Sequence, residues 1–306
     1  MIHFFLSALP IVSDVAVTYE SVNGRFGDHL VNYLHAKWIS YLYGYRLLYK
    51  PFLYSEEFAL SESEELWTEE KERNFDRVVK YQKQDNFLSP AFGSLLYLIP
   101  SFSPQPDDRQ YHQDDPDYFP VGWKDEEFRN QLRAMFRPAK EYPRIPFPQD
   151  KEYLTVAVHV RRGGDYDPTD AYLVWPLRFP PDTYYIECLK KLCFIFPERP
   201  IYAFVFTDDL YPTQIVSKFK EKLGDFPILL DCRSQGNRHD AHVMEDFFAM
   251  LHFDCLIRSA SNFTLVPAVI GDYQVIMTPK HNVWRINNEN SIENYIDEID
   301  EERMFK

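Results

Sequence analysis

A short apolar segment that runs into two arginines and two glycines places the strongest limit on the fold of this chain. Residues 153–167 have the sequence YLTVAVHVRRGGDYD, and seven of them, 154–160, are mostly apolar or β-branched. A segment of this length is too short for a lone helix and is typical of a strand that is buried on both faces of a sheet. Such a strand requires helices on both sides of its sheet, as in α/β proteins.

The residues after this strand have two interpretations. Arg161 and Arg162 need partners at the end of a buried strand, because unpaired buried charge is costly. Ligands of open α/β sheets bind beyond the carboxyl ends of the strands, and the planar guanidinium fork of arginine suits a diphosphate. The segment therefore predicts either a site for an anionic ligand or a structural salt bridge from one of these arginines to Asp165 or Asp167.

The rest of the second half of the chain alternates between strand patterns and helical patterns. The predicted strands are 154–160, 201–207, 227–231, 256–257 and 274–278, and the predicted helices are 180–196, 213–223, 245–256 and 265–270. This alternation favours a doubly wound parallel sheet. A last, acidic helix is predicted from Ile292 to Phe305.

The first half begins with a similar unit. A strand is predicted at 14–21, then a turn with Gly24 and Gly27, and then a helix at 29–45 whose apolar residues recur at helical spacing. Such a turn lies at a helix N-terminus, where anions bind readily. A strand at 46–53 and a helix at 125–136 are also predicted, while the acidic stretch at 55–76 is interpreted as a solvated helix or loop.

Together these patterns predict two α/β domains that face one another. Four prolines between 138 and 148 mark the linker between the domains. The predicted boundaries are an N-terminal domain at 1–148, a C-terminal domain at 149–285 and an acidic helix at 286–306.

The composition excludes some classes of partner. The 33 Lys+Arg and 47 Asp+Glu residues give a net charge of −14, which argues against binding to nucleic acid duplexes. A single nucleotide in a local basic pocket is still compatible with this charge. Asp208 and Asp209, at the end of a predicted strand, are interpreted as a cap for the next helix and not as metal ligands.

Several features bear on the compartment. None of the four cysteines forms a C-x-x-C pair, and reduced, buried cysteines favour a cytoplasmic chain. The apolar start, residues 1–12, lacks the basic region of a signal peptide and is too short to span a membrane. It is interpreted as a buried segment; a trimmed leader, and with it the secretory pathway, is the alternative. No membrane span is predicted.

Three ordered motifs resemble those of the GDP-fucose-dependent fucosyltransferases, which have two Rossmann-like domains of the GT-B type. Residues 24–36 (GRFGDHLVNYLHA) are similar to the turn and helix at the start of the acceptor domain in that superfamily. Residues 159–166 (HVRRGGDY) resemble its H-x-R-R-G-D signature. Residues 245–263 (EDFFAMLHFDCLIRSASNF) are similar to its acidic, apolar helix that leads to a serine-rich turn.

The resemblance implies a GT-B fold in which two Rossmann-like domains face a cleft, with an acceptor-side domain at 1–148 and a nucleotide-sugar-binding domain at 149–285. It also implies a role for each matching position. His159 and Asp246 would address the guanine, because a carboxylate accepts hydrogen bonds from both N1–H and the exocyclic amine. Arg161, with Arg162, would hold the β-phosphate, and Arg25 would close on the diphosphate from the first domain. Ser261, Asn262 and Phe263 would offer hydroxyl and backbone N–H groups to the phosphates at the start of a helix, where anions bind readily. Gly24 in the first domain completes the implied binding site for GDP-fucose.

The implied reaction is the inverting transfer of L-fucose from GDP-fucose to a hydroxyl of a glycan or glycoprotein. Arg161 would stabilise the charge that develops on the leaving GDP, so that neither a metal nor a cofactor other than the donor substrate is implied.

The family turn ends in asparagine where this chain has Asp28. A carboxylate beside a diphosphate would be repelled unless it deprotonates the acceptor, so Asp28 is a candidate base. The family signature has one glycine before its aspartate, whereas Gly163 and Gly164 both precede Asp165 here.

Two alternatives to this function are left open by the sequence. One is a GT-B glycosyltransferase that uses another sugar nucleotide, which would not need the guanine contact of Asp246. The other is a homologue that binds a nucleotide sugar without turnover. A nicotinamide oxidoreductase is disfavoured, because Gly24 and Gly27 do not complete a G-x-G-x-x-G motif.

Overall fold

The computed structural model describes residues 14–81, 93–101, 121–148, 152–164, 167, 169–286 and 292–303. The chain divides into two compact units, Met1–Arg137 and Pro138–Lys306. Each unit contains its own sheet, and the predicted α/β class with two Rossmann-like units is confirmed.

The described part of the first unit is built on a five-stranded parallel sheet with the order β3-β2-β1-β5-β4. Its strands are β1 Val15–Tyr19, β2 Arg46–Tyr49, β3 Glu65–Leu66, β4 Arg77–Lys80 and β5 Leu95–Ile99. Its helices are α1 Phe26–Tyr43, α2 Leu60–Ser63, α3 Glu69–Arg73 and α4 Glu126–Met135, with a short 3₁₀ turn at Ser55–Glu57.

Helix α1 is buried nearly all round through its middle, since residues 30–36 and 38–40 are all buried. Leu30, Leu34 and Ile39 in this part are fully buried. The helix ends at Gly44, whose φ of +64° is the left-handed conformation that glycine adopts at no steric cost. Strand β1 lies at the centre of the sheet, so that the turn between β1 and α1 starts at the middle of the sheet edge.

The second unit contains a six-stranded sheet with the order β11-β10-β9-β6-β7-β8. Its strands are β6 Leu154–Val160, β7 Ile201–Thr207, β8 Ile228–Cys232, β9 Cys255–Ile257, β10 Val275–Ile286 and β11 Ile292–Arg303. Its helices are α5 Ala171–Val174, α6 Asp182–Ile195, α7 Pro212–Leu223, α8 Val243–Met250 and α9 Asn262–Ile270. The strands are parallel except for β11, which pairs antiparallel to β10.

The order of this sheet defines where its two halves meet. The chain builds outward from β6 through β7 to β8, and then returns to place β9 and β10 on the other side of β6. This is the strand order of the Rossmann fold, with the reversal between β6 and β9. Ligands of open α/β sheets bind in the crevice at such a reversal, beyond the carboxyl ends of the strands.

The C-terminal helix predicted from Ile292 to Phe305 is wrong. Strand β11 occupies Ile292–Arg303. Its pairing with β10 is irregular at His281, where the register of the two strands shifts on both sides of that residue. Ile296 is buried and Ile299 is partly buried, and both pack on the core of the second unit although they are three residues apart in a strand. The irregularity explains this, because an extra residue reverses which face of a strand its side chains occupy.

Strands β4 and β5 were missed because the pattern around them is weak. The five residues of β5, LLYLI, are apolar and lie between Ser94 and Pro100, which is the signal that could have identified them. The strand lies next to β1, and four of its five residues are buried.

The cysteines are free thiols. Cys188 and Cys255 are buried, as predicted, whereas Cys193 and Cys232 are only partly buried. Burial raises the pKa of Cys188 and of Cys255 to about 12. Among the residues that the structure describes, none of the helices combines the length and the apolar character that crossing a bilayer requires.

Candidate functional site

The arginine loop, residues 161–164, follows β6 at the reversal point of the second sheet. The Arg161 guanidinium lies 2.8 Å from an Asp167 carboxylate oxygen and 4.7 Å from the centre of the Phe179 ring. The predicted salt bridge to Asp167 is therefore present. It holds the guanidinium in one place at the strand end, which is compatible with either interpretation of the loop. Asp165 lies outside the described residues.

Arg162 points to the first turn of α6. Its guanidinium contacts the Asp182 carboxylate and donates to the Pro180 carbonyl at 3.0 Å. The cation also lies over the Tyr185 ring, 5.8 Å from its centre. These contacts tie the loop to the helix that packs on β6.

Asp208 fixes the backbone of the arginine loop. Its two carboxylate oxygens accept from the N–H groups of Arg162 at 2.6 Å and Gly163 at 3.1 Å. Gly164 has a φ of +54°, and a Cβ atom there would lie 2.8 Å from the Asp208 carbonyl oxygen. The protein's own backbone thus requires this glycine. The predicted helix-cap role of Asp208 is wrong, since its carboxylate anchors this loop.

A hydrogen bond and aromatic contacts bring the second and third sequence motifs together at the carboxyl ends of β6 and β9. The buried His159 side chain hydrogen-bonds through Nδ1 to Ser259 Oγ at 3.1 Å, which joins β6 to the residues after β9. Its ring lies 5.6 Å from that of Phe263 at the start of α9. Phe263 in turn lies 6.2 Å from Phe247 on α8. The helix that carries Asp246 is therefore packed against the start of α9.

The start of α9 is a capped helix N-terminus. Ser261 is the N-cap, and its Oγ accepts from the Phe263 N–H at 3.3 Å. Ser261 and Asn262 are 3% and 5% exposed, so that the turn is shielded from solvent. The Phe263 amide, one of the predicted phosphate donors, serves the cap in this structure.

Arg258 lies next to this group of residues and was missed in the sequence. The side chain is 4% exposed, and its guanidinium donates to Thr264 Oγ1 and to the Ser261 carbonyl, each at 3.2 Å. These bonds tie the end of β9 to the first turn of α9. The signal was an arginine directly after a short apolar strand, as Arg161 directly follows β6.

Asp246 lies in the first turn of α8 and is partly buried. Burial raises its pKa to about 6, and the Arg233 guanidinium, 2.7 Å from Oδ1, opposes that rise. Arg233 was also missed, because it lies in a polar loop that has no pattern of its own.

The turn between β1 and α1 contains the candidate residues of the first unit. Arg25 is the N-cap of α1, and its backbone N–H donates to Asp28 Oδ2 at 3.1 Å. A Cβ atom on Gly24 would lie 2.5 Å from that same oxygen, so the glycine leaves room for the carboxylate. The Asp28 side chain thus stabilises the start of the helix. In the described ranges of the chain, no group of three or more His, Cys, Asp or Glu residues has the arrangement of a metal site.

Among known proteins, similarity to this chain was found only in comparisons with solved structures. No protein-family model matches the sequence, and no curated protein does. POFUT1 in complex with GDP-fucose is 11% identical with a TM-score of 0.45, and the alignment covers 87% of this chain and 96% of that one. A FUT1 mutant of Arabidopsis thaliana in complex with GDP is 11% identical with a TM-score of 0.48, over 91% and 73%. The fucosyltransferase NodZ from Bradyrhizobium is 10% identical with a TM-score of 0.47, over 95% and 99%. These solved structures are of the enzyme group that the three sequence motifs resemble.

Proposed function

We propose that this chain is a GT-B glycosyltransferase that moves L-fucose from GDP-fucose to a hydroxyl of a glycan or protein, with inversion. One observation carries the proposal. His159 with the arginine loop, the start of α9, and the helix of Asp246 come from distant parts of the sequence, and they meet at the reversal point of the second sheet. The reversal point of a sheet with this strand order is where α/β proteins bind nucleotides.

His159 and Asp246 are proposed to bind the guanine. An ionised carboxylate accepts from N1–H and from the exocyclic amine of guanine, and adenine does not offer that pair of donors. The contact between Phe247 and Phe263 supports this role, because it keeps the Asp246 helix beside the histidine.

Arg161 is proposed to bind the β-phosphate. Its guanidinium is held by Asp167 and by the Phe179 ring, so little ordering is needed when the donor arrives. The proposed help from Arg162 is weaker, because that side chain already serves Asp182 and the Pro180 carbonyl. Ser261 and Asn262 add the N-terminus of α9, which favours anions.

The direct test is a set of calorimetric titrations with GDP, GDP-fucose, UDP and ADP, without added metal. We expect GDP and GDP-fucose to bind at least about 100-fold more tightly than the other two, since a site built for specific hydrogen bonds rejects ligands that leave them unpaired. Comparable binding of UDP would favour a transferase with another sugar nucleotide. If none of the four binds, the arginine loop has only its structural role.

Arg25 and Asp28 keep the roles that the resemblance implies: a contact with the diphosphate for Arg25, with Gly24 allowing the close turn, and proton removal from the acceptor for Asp28. Asp28→Asn is expected to lower kcat about 10²–10⁴-fold, because the amide cannot take up the proton. The donor Kd should not change, since the amide oxygen of the variant can still accept from the Arg25 N–H. Near-normal turnover in acceptor assays with GDP-fucose would remove Asp28 as the base.

The alternative of a nucleotide-sugar-binding protein without turnover is favoured by the geometry of Asp28 itself. Its carboxylate is engaged at the start of α1, where it has a sufficient structural role. Tight binding of GDP-fucose together with no transfer and no slow hydrolysis would support that alternative.

A further inference from the structure

A pair of charged side chains links the loop after β8 to the first turn of α8. One Arg233 nitrogen lies 2.7 Å from Asp246 Oδ1 and 3.4 Å from Glu245 Oε2. The Arg233 and Asp246 side chains are 29% and 19% exposed, so both are largely withdrawn from water. The loop is fixed from its other side, because the Asn237 amide donates to the Arg233 carbonyl at 3.2 Å.

Three charged or titratable groups face Asp246. Arg233 comes from the loop, while His242 and Glu245 belong to the start of α8. His242 Nδ1 lies 3.1 Å from Glu245 Oε2, so that Glu245 is shared between the histidine and Arg233. Arg233 therefore provides the direct counter-ion of Asp246, and burial acts in the opposite direction.

The ionisation state of Asp246 decides which hydrogen-bonding groups of a base its carboxyl group can bind. An ionised carboxylate is an acceptor at both oxygens, whereas the protonated acid has an O–H that would face the N1–H of guanine. Arg233 uses one hydrogen bond to Oδ1, which leaves Oδ2 and the second lone pair of Oδ1 for a ligand. The bond also fixes the plane of the carboxylate.

We propose that Arg233 is a positioning residue for base recognition, which holds the Asp246 carboxylate ionised and oriented toward the N1–H and amine donors of a guanine base. The inference rests on the proposed function, since it concerns the same donor site. It adds a residue that none of the three motifs contains.

The test compares the pH dependence of GDP binding among four proteins. Calorimetry with GDP from about pH 5.5 to about pH 8.5 is run on the wild type, Arg233→Met, Arg233→Lys and Arg238→Met. Arg238 is a matched control: it lies in the same loop, is exposed, and pairs with Asp240 at 3.6 Å. The ionisation of the GDP phosphates is common to all four proteins and cancels in the comparison.

In the wild type we expect binding to weaken below about pH 6, where Asp246 becomes protonated. Loss of the counter-ion raises the pKa of Asp246 further, so the midpoint for Arg233→Met should move up by about 1 pH unit or more. For a shift of 1 pH unit, affinity should then be about threefold lower at pH 6.5 and about eightfold lower at pH 5.5, and it should return to within about twofold at pH 8.5. Arg233→Lys should keep most of the wild-type pH profile, because lysine retains a positive charge. Arg238→Met should not change the profile.

The outcomes separate this inference from the proposed function. If the wild type does not bind GDP at any pH, the proposed function falls and the role of Arg233 falls with it. If the wild type binds GDP but Arg233→Met has the same midpoint, or loses affinity equally at all pH values, only the positioning role is overturned. The wild-type profile is informative even if Arg233→Met does not fold, because a midpoint absent from the range would contradict the role assigned to Asp246.

Discussion

Replacing Arg161 with alanine is expected to lower the turnover of GDP-fucose by about 10²–10³-fold, the usual loss when a preorganised charge at a developing anion is removed. The side chain is only 14% exposed, and Asp167 and Phe179 hold it in place. A water molecule cannot replace a fixed cation in this position. Arg161→Lys should recover little of the loss, since an ammonium lacks the planar fork of the guanidinium.

The measurement is kcat and KM for hydrolysis or transfer of GDP-fucose, with Arg238→Ala as a control that removes an exposed arginine of the same unit. Alanine at 161 also leaves the Asp167 carboxylate without this partner, so thermal unfolding is recorded on the same samples. A loss confined to KM would place Arg161 in ground-state binding alone. Turnover within about twofold of the wild type would leave the salt bridge as its only role.

The largest effect on stability is expected for Phe247→Ala. Phe247 is fully buried in α8, and its ring contacts Phe248 at 5.3 Å and Phe263 at 6.2 Å. Truncation of a buried phenylalanine costs about 3–5 kcal/mol, since apolar burial is lost and a cavity is left behind. The same cavity would loosen the contact between α8 and the start of α9, so donor affinity should fall together with stability.

Urea unfolding followed by circular dichroism measures this change, and Phe194→Ala is its matched control. Phe194 lies on α6, is 76% exposed and touches only Phe226 among the described rings, 6.2 Å away. Its truncation should change the free energy of unfolding by less than about 0.5 kcal/mol. Similar effects of the two substitutions would mean that the packing at Phe247 does not stabilise the second unit.

The central strands could be predicted from the sequence because both of their faces are buried. Strands β6 and β7 have continuous apolar runs, and the structure gives them the predicted bounds. Helix α1 could also be predicted, because its apolar positions repeat at helical spacing and glycines mark both of its ends. In such segments the local pattern and the tertiary environment agree.

The partners of the charged residues could not be predicted in the same way. Asp208 anchors a loop 45 residues earlier in the chain, and Arg233 reaches Asp246 from a loop without periodicity. Neither pairing leaves a pattern in the sequence, because each depends on how the strand ends come together. Asp165 and Asp167 were both possible partners of Arg161 in the sequence, and the pairing with Asp167 is known only from the fold.

Strand β11 also has a consequence for the behaviour of the protein in concentrated solution. In the described part of the second unit it is the edge of the sheet, and an open strand edge can add a strand from another molecule. Within residues 297–302 of this edge strand, five of the six residues are acidic: Asp297, Glu298, Asp300, Glu301 and Glu302. Two copies that met edge to edge would bring like charges to a strand spacing of about 4.8 Å. The acidic residues of β11 therefore oppose the addition of a second copy at this edge of the sheet.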